Sequence, residues 1–246
     1  MIPRNILLCI LLIGCVSQWR APTDFMPYVI SAGKYSIFTY QKTSNSESPV
    51  HIYIEGDGNA FDGAGQPTSD PTPYGTLMRE IATSDTGANV VYMARPCQYI
   101  MSDTCRQADW TTGRFSSDII DSMSIAIRQV AKNRPVVLIG YSGGALITGL
   151  VILRNSDLNI QKWITIAGVL NHSDWTEYFN DAPLELSLNM NGLPHVNQVH
   201  YIASHDATVP QSLSYKWLSG QRIEQVPNSS HSKFPNIKLD LSIDKR

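Results

Sequence analysis

The residues with the clearest chemistry lie in Val136-Val137-Leu138-Ile139-Gly140-Tyr141-Ser142-Gly143-Gly144, an apolar run that breaks into Gly-x-Ser-x-Gly and continues as the small-residue segment 145–150. A serine hydroxyl is a weak nucleophile at its own pKa. It needs a histidine to take its proton and a carboxylate to hold that histidine in one tautomer. Two later segments supply both. Asp206 follows the apolar run Val199 to Ala203, and His231 sits in Pro227-Asn-Ser-Ser-His231-Ser after Arg222 to Val226. The expected roles are Ser142 as nucleophile, His231 as general base and Asp206 as the acid that orients His231. The five-residue pattern is weak alone; a buried strand before it and a helix after it are the context in which such a serine stands clear on a sharp turn.

Other titratable residues fit less well. His205 adjoins Asp206, but neighbours in an extended segment point to opposite sides, which leaves it as a pocket or surface residue. His51, His172, His195 and His200 fall on predicted strands or in a middle insertion and read as structural or solvated. Asp174 and Asp181 precede the final strands and would serve only in a displaced arrangement of the acid.

The elements that must position these residues are visible as alternating patterns. Runs at 35–40, 50–54, 89–93, 136–139, 163–167, 199–203 and 222–226 read as strands. Three of them, Val-Val-Tyr-Met, Val-Val-Leu-Ile and Trp-Ile-Thr-Ile-Ala, are near-continuous apolar runs, as strands buried on both faces must be. Between them, Ser117 to Lys132 places Ile119, Ile120, Met123, Ala126, Ile127, Val130 and Ala131 at helical spacing, with Ser116 or Ser117 as start signal and Asn133 and Pro135 as stop. Strands alternating with helices predict an α/β fold: a mostly parallel central sheet with helices on both faces. Segment 57–75, rich in Gly, Pro, Asp and Ser, has no period and reads as a long functional or surface loop.

With elbow, acid and histidine in that order over roughly residues 35–234, the chain resembles the α/β-hydrolase superfamily, and within it small bacterial envelope lipoproteins. The resemblance implies an oxyanion hole with one N–H from Gly143 and a second from the loop Ile52-Tyr53-Ile54-Glu55-Gly56-Asp57-Gly58. Where many members have His-Gly-Gly, this sequence has Glu-Gly-Asp-Gly. The Asp57 N–H is the expected second donor, with Gly56 permitting the turn, and the Asp57 carboxylate is expected to point away from the hole. The implied reaction is cleavage of a carboxylic ester in a small-molecule acyl substrate. Thioester or amide cleavage and acyl transfer would use the same residues, and a non-catalytic ligand-binding or interaction lipoprotein is the rival class.

No cofactor or metal is expected. Asp57 to Asp62 lacks a ligand at the fifth position and the glycine at the sixth of a calcium loop, and Gly56 to Phe61 lacks the third glycine of a dinucleotide fingerprint. Lys+Arg is 19 against Asp+Glu 21, with no basic cluster, which argues against nucleic acid as a partner. With 43% hydrophobic and 16% charged residues in 246, the chain suits one domain, placed at 28–246.

Arg4 followed by the apolar run Ile6 to Val16 is shorter than the roughly 20 residues of a membrane span and reads as a secretory signal. Its end, Leu12-Ile13-Gly14-Cys15, resembles the lipobox of bacterial lipoproteins. This implies cleavage after residue 14, lipid on Cys15, a membrane anchor there and a tether over 15–27. Val16 in place of Asp implies the outer membrane, facing the periplasm. An ordinary cleaved signal or an uncleaved anchor are the alternatives. Cys97 and Cys105 then remain as an even pair in an oxidising compartment, which predicts a disulfide; a metal site would need more ligands than the intervening Asp103. The segment 97–105 is expected either to wall the pocket or simply to brace an exposed connection. Within 171–195, Asp174-Trp-Thr-Glu177 suggests a capping box, and alternating Leu184, Leu186, Leu188 and Met190 suggest a small cap over the site or ordinary core packing.

Overall fold

A computed structural model describes residues 19–243. The signal segment 1–14 and Cys15 lie outside the described residues. The strands are β1 (Met26–Ala32), β2 (Tyr35–Thr43), β3 (Val50–Ile54), β4 (Asn89–Met93), β5 (Val136–Tyr141), β6 (Ile160–Ile166), β7 (Asn197–Ala203) and β8 (Arg222–Val226). They form one sheet in the order β1-β2-β4-β3-β5-β6-β7-β8. β2 pairs antiparallel with β1 and with β4; every other pairing is parallel.

The continuous apolar runs are explained by burial on both faces. In β5, Val136 and Leu138 enter one core, whereas Val137 and Ile139 enter the other. The first core lies under α2 (Ser117–Ala131) and α3 (Gly143–Arg154), which also pack on each other. α2 stops where Lys132 and Asn133 take left-handed backbone conformations, just before Pro135.

The second face also carries helix cover, as expected, but is not closed by helices alone. It holds α1 (Leu77–Ser84), but much of the remainder is covered by an extended C-terminal tail, with Phe234 buried and Ile237, Leu239, Leu241 and Ile243 packed against the same core. Lys162 Nζ donates to the Ser242 carbonyl at 2.9 Å and lies 3.1 Å from the Asp240 carboxylate, so a buried cation pins this tail to β6.

The domain also begins before residue 28. Phe25 is buried, and Met26 and Pro27 pair with Gln41 and Tyr40 at the edge of the sheet. Pro27 disguised the strand in the sequence, but an edge strand tolerates proline because its outer side needs no ladder bond. Residues 25–27 of the segment expected as a tether therefore belong to the folded domain.

In the insertion, α4 (His172–Phe179) begins earlier than the suggested box: Asn171 is the cap, its Oδ1 accepting from Asp174 N at 3.0 Å. Leu184 and Met190 are buried in the first core and Leu188 packs against it, so these three serve packing, whereas Leu186 is exposed. Among the described residues the last α-helix is α5 (Gln211–Trp217), and a short 3-10 helix spans Gln107–Trp110.

Candidate active site

β3 and β5 are neighbours, yet the chain leaves β3 for β4 on one side and returns to β5 on the other. This is the reversal point at which crevices open beyond the carboxyl ends of parallel strands. Ser142 stands there, directly after β5, with φ 51° and ψ −124°. That backbone is unfavourable for a residue with a Cβ and persists because both flanks are over-determined. Ser142 N donates to the Ile166 carbonyl at 3.0 Å, and its own carbonyl accepts from Ala145 N and Val169 N. The elbow glycines are required by close approach. A Cβ on Gly140 would meet Thr148 Oγ1 at 2.6 Å and Ala145 Cα at 2.7 Å, and one on Gly144 would meet the Ile54 carbonyl at 2.7 Å.

The loops after β7 and β8 bring in the two partners. His231 Nε2 lies 3.0 Å from Ser142 Oγ, and His231 Nδ1 lies 2.9 Å from Asp206 Oδ2. The Asp206 side chain is 1% exposed, and its other oxygen accepts from Thr208 N and Val209 N at 2.9 and 2.7 Å. A carboxylate so held presents one fixed acceptor, which makes Nδ1 the protonated nitrogen and leaves Nε2 to accept from the serine hydroxyl. The three residues read from the sequence are thus joined in a single hydrogen-bonded chain.

The other candidates have different partners. His205 Nδ1 lies 2.9 Å from Ser204 Oγ, away from Asp206. His51 pairs with Asp85 at 2.7 Å, and His200 lies buried between Thr165 and Gln198. Asp174 accepts from Lys216 and Trp217. His172, read as structural or solvated, is buried and stacks on Phe115, and it also lines the cleft beside Ser142.

The loop after β3 packs against the elbow as its glycines allow: a Cβ on Gly56 would come 3.1 Å from Ser142 Cβ and 3.2 Å from the Tyr141 ring. The Gly56 N–H itself is taken by Glu55 Oε1 at 2.8 Å, so Gly56 shapes the turn and is not an oxyanion donor. Gly143 begins α3, where a backbone N–H has no intrahelical acceptor.

The expectation that the Asp57 carboxylate points away is not met. It lies against Gly143, where any Cβ would collide with Asp57 Oδ1, and two guanidiniums hold it: Arg95 by a hydrogen bond to Oδ1 and Arg114 with Nε 3.2 Å from Oδ2. Burial opposes its charge, but Arg114 and Arg95 outweigh burial and keep its pKa below the ordinary value. A carboxylate near the site is tolerable because its charge is already neutralised.

The disulfide between Cys97 and Cys105 is formed, with Cα atoms 5.8 Å apart. Neither cysteine lines the main cleft; the loop stands behind it. Gln98 Nε2 donates to the Gly56 carbonyl at 3.0 Å, and Arg95, two residues before Cys97, holds Asp57. The bridge thus braces the segment that holds the β3 loop rather than walling the pocket.

Glu55, Arg95, Gln98, Arg114 and Tyr141 were missed as site residues. Tyr141 lies inside Gly140-Tyr-Ser-Gly-Gly144 and Glu55 opens the loop after β3, but neither position signals a role of its own; Arg95, Gln98 and Arg114 carry no motif, and the only signal among these three is that Arg95 closely follows an apolar strand run. The cleft itself has a volume of about 800 Å³ and is walled by the β3 loop, α1, α4 and the segment around His231.

No protein-family model and no curated protein matches the sequence. Solved structures do. An α/β serine hydrolase without lid from Xanthomonas campestris is similar with TM-score 0.54 and 15% identity, over 85% of this chain and 87% of that one. An α/β serine hydrolase homologue from Coxiella burnetii gives TM-score 0.52 and 12% identity over 88% and 92%. Naproxen esterase (carboxylesterase NP) from Bacillus subtilis gives 0.56 and 12% over 86% and 87%. The likeness is one of tertiary structure, and this chain has the α/β-hydrolase fold.

Proposed function

We propose that this protein is a serine hydrolase that cleaves a carboxylic ester through an acyl-enzyme on Ser142. The observation that carries the reading is the hydrogen-bonded chain Ser142–His231–Asp206 opening into the cleft. In the first half-reaction Ser142 Oγ attacks the acyl carbonyl while its proton passes to His231 Nε2. The tetrahedral oxyanion is met by the Gly143 and Asp57 N–H groups. Collapse expels the alcohol, which takes the proton from His231. Water then gives a proton to His231 Nε2 as it attacks the acyl-enzyme carbonyl; the second tetrahedral intermediate collapses, Ser142 Oγ leaves and takes that proton back from His231, and the acid is released. Asp206 stays ionised throughout and favours the imidazolium.

The place of action in this reading is the periplasmic side of the outer membrane, with the domain tethered by lipid on Cys15. Metabolic labelling with an alkynyl fatty acid tests the anchor: incorporation should be lost in Cys15→Ser, and equal labelling of both forms would remove Cys15 from the account.

The enzymatic reading is tested with a fluorescent fluorophosphonate on the folded protein. Wild type should label and Ser142→Ala should not. Absence of labelling in both, with both folded, would overturn the hydrolase reading and favour a ligand-binding role.

A further inference from the structure

We propose that the cleft selects esters bearing a carboxylate in addition to the ester group, and that Arg114 recognises that carboxylate. The inference rests on the hydrolase reading and deepens it by naming the substrate class.

Arg114 lines the same cleft as Ser142 and His231, although its side chain is only 6% exposed. Its surroundings are aromatic rather than aqueous. The rings of Phe61, Phe115 and Trp175 stand 5.7 to 5.8 Å from its guanidinium carbon. Its nearest counter-charge is Asp57, and that carboxylate is shared, since Arg95 hydrogen-bonds to the other oxygen. The Arg114 Nε that lies 3.2 Å from Asp57 Oδ2 is buried and is not aligned for a hydrogen bond to it or to any other atom of the described residues. Two guanidiniums therefore lean on one carboxylate at the wall of an open cleft.

The other acids of the wall do not complete the balance. Glu55 accepts from Gly56 N and Tyr92 Oη, and burial raises its pKa toward the neutral form. Glu80, at the exposed mouth, accepts from Thr76 Oγ1. His172 adds no counter-charge. Its ring stacks on Phe115, its Nε2 faces the Ser187 carbonyl, and its buried Nδ1 is unpartnered, while burial favours the uncharged imidazole. Lys233 at the rim has the same sign as Arg114.

A buried cation with incomplete pairing is costly and calls for an explanation, and beside a cleft an anionic ligand that completes the pairing supplies one. The planar donor fork of arginine matches a carboxylate, and the aromatic surroundings strengthen that contact by excluding water.

The test compares matched ester pairs that differ in one terminal group. Monomethyl adipate against methyl hexanoate places the anion on the acyl side; 4-acetoxybutanoate against butyl acetate places it on the alcohol side. Wild type should prefer the anionic member of at least one pair by about tenfold or more in kcat/KM, and the responding pair identifies the side. Arg114→Gln should bring that ratio to within about threefold, and Arg114→Lys should retain part of it. A purely structural role would lower both members of a pair together and leave the ratio intact. No preference in wild type, or a preference that survives in Arg114→Gln, would overturn the proposal. If Arg114→Gln does not fold, the wild-type ratio and Arg114→Lys decide. If the protein neither labels with fluorophosphonate nor turns over any ester, the hydrolase reading fails separately. Calorimetric binding of monomethyl adipate to wild type, lost on Arg114 substitution, would then still support the carboxylate site, and no binding would end it.

Discussion

Tyr141 and His231 are bound to each other twice over: the Tyr141 hydroxyl donates to the His231 carbonyl at 3.0 Å, and the two rings lie 5.3 Å apart at 32°. The residue before the candidate nucleophile thus holds the backbone and flank of the candidate base, 90 positions along the chain. Burial raises the pKa of the Tyr141 hydroxyl, so it remains a donor at every working pH.

Tyr141→Phe keeps the ring contact and removes only the hydrogen bond. We expect a loss of about 1 kcal/mol in stability. A fall of about threefold to tenfold in kcat should accompany it, because small displacements of a base are costly. Urea melts and ester turnover check both. Unchanged kcat would show that the loop holds His231 without this bond.

Asp206→Asn should lower kcat by about four orders of magnitude. The two backbone donors at Oδ1 will retain the amide oxygen there, which turns the amide N–H₂ toward His231 Nδ1. The imidazole must then carry its proton on Nε2, where it cannot accept from Ser142. Fluorophosphonate labelling rates and imidazole proton NMR report the rate and the tautomer.

Opening the disulfide should act on stability and on the site. The chain-entropy relation gives about 2.5 kcal/mol for a loop this short. Because Gln98 and Arg95 flank Cys97 and hold the Gly56 and Asp57 backbone and side chain, Cys97→Ser with Cys105→Ser should also slow turnover. Thermal melts and turnover of the double variant and of reduced wild type should agree; a stability loss with full activity would confine the bridge to reinforcement.

His200 makes a pH prediction away from the site. Its Nδ1 accepts from Thr165 Oγ1 at 2.8 Å and its Nε2 donates to Gln198 Oε1 at 2.9 Å, and burial lowers its pKa to about 4. An unfolded histidine titrates near about 6.5. Below that pH the unfolded chain binds a proton that the folded one refuses, so stability falls as pH drops from about 6.5 toward about 4 and is unaffected above it. The full loss from this residue is about 3 kcal/mol. Urea midpoints across that window should slope downward in wild type and less steeply in His200→Gln; parallel slopes would assign the acid sensitivity elsewhere.

What the sequence determined by itself was local or periodic. The apolar run into Gly140-Tyr-Ser-Gly-Gly144 announced strand, turn and helix because strand burial, glycine clearance and helical spacing are all expressed within a few residues. Asp206 and His231 were legible for a related reason: each follows a strand run, and parallel strands deliver their following loops to one edge of a sheet. β1 was not legible, since Pro27 breaks the strand signal and only pairing with β2 makes the segment extended. Nor was the C-terminal tail, whose apolar residues acquire a role only once a sheet face lacks cover.

The cluster of Asp57, Arg95 and Arg114 was decided by tertiary structure alone. Asp57 and Arg95 are 38 residues apart and meet because β3 and β4 run parallel in register, Ile54 opposite Met93, so the loops that follow them emerge side by side. Arg114 enters from the segment before α2, joined to Arg95 through its carbonyl at 2.5 Å. The strength of such charges depends on burial and on which of them share a partner. Neither quantity has a period or a motif, and both exist only after the chain has folded.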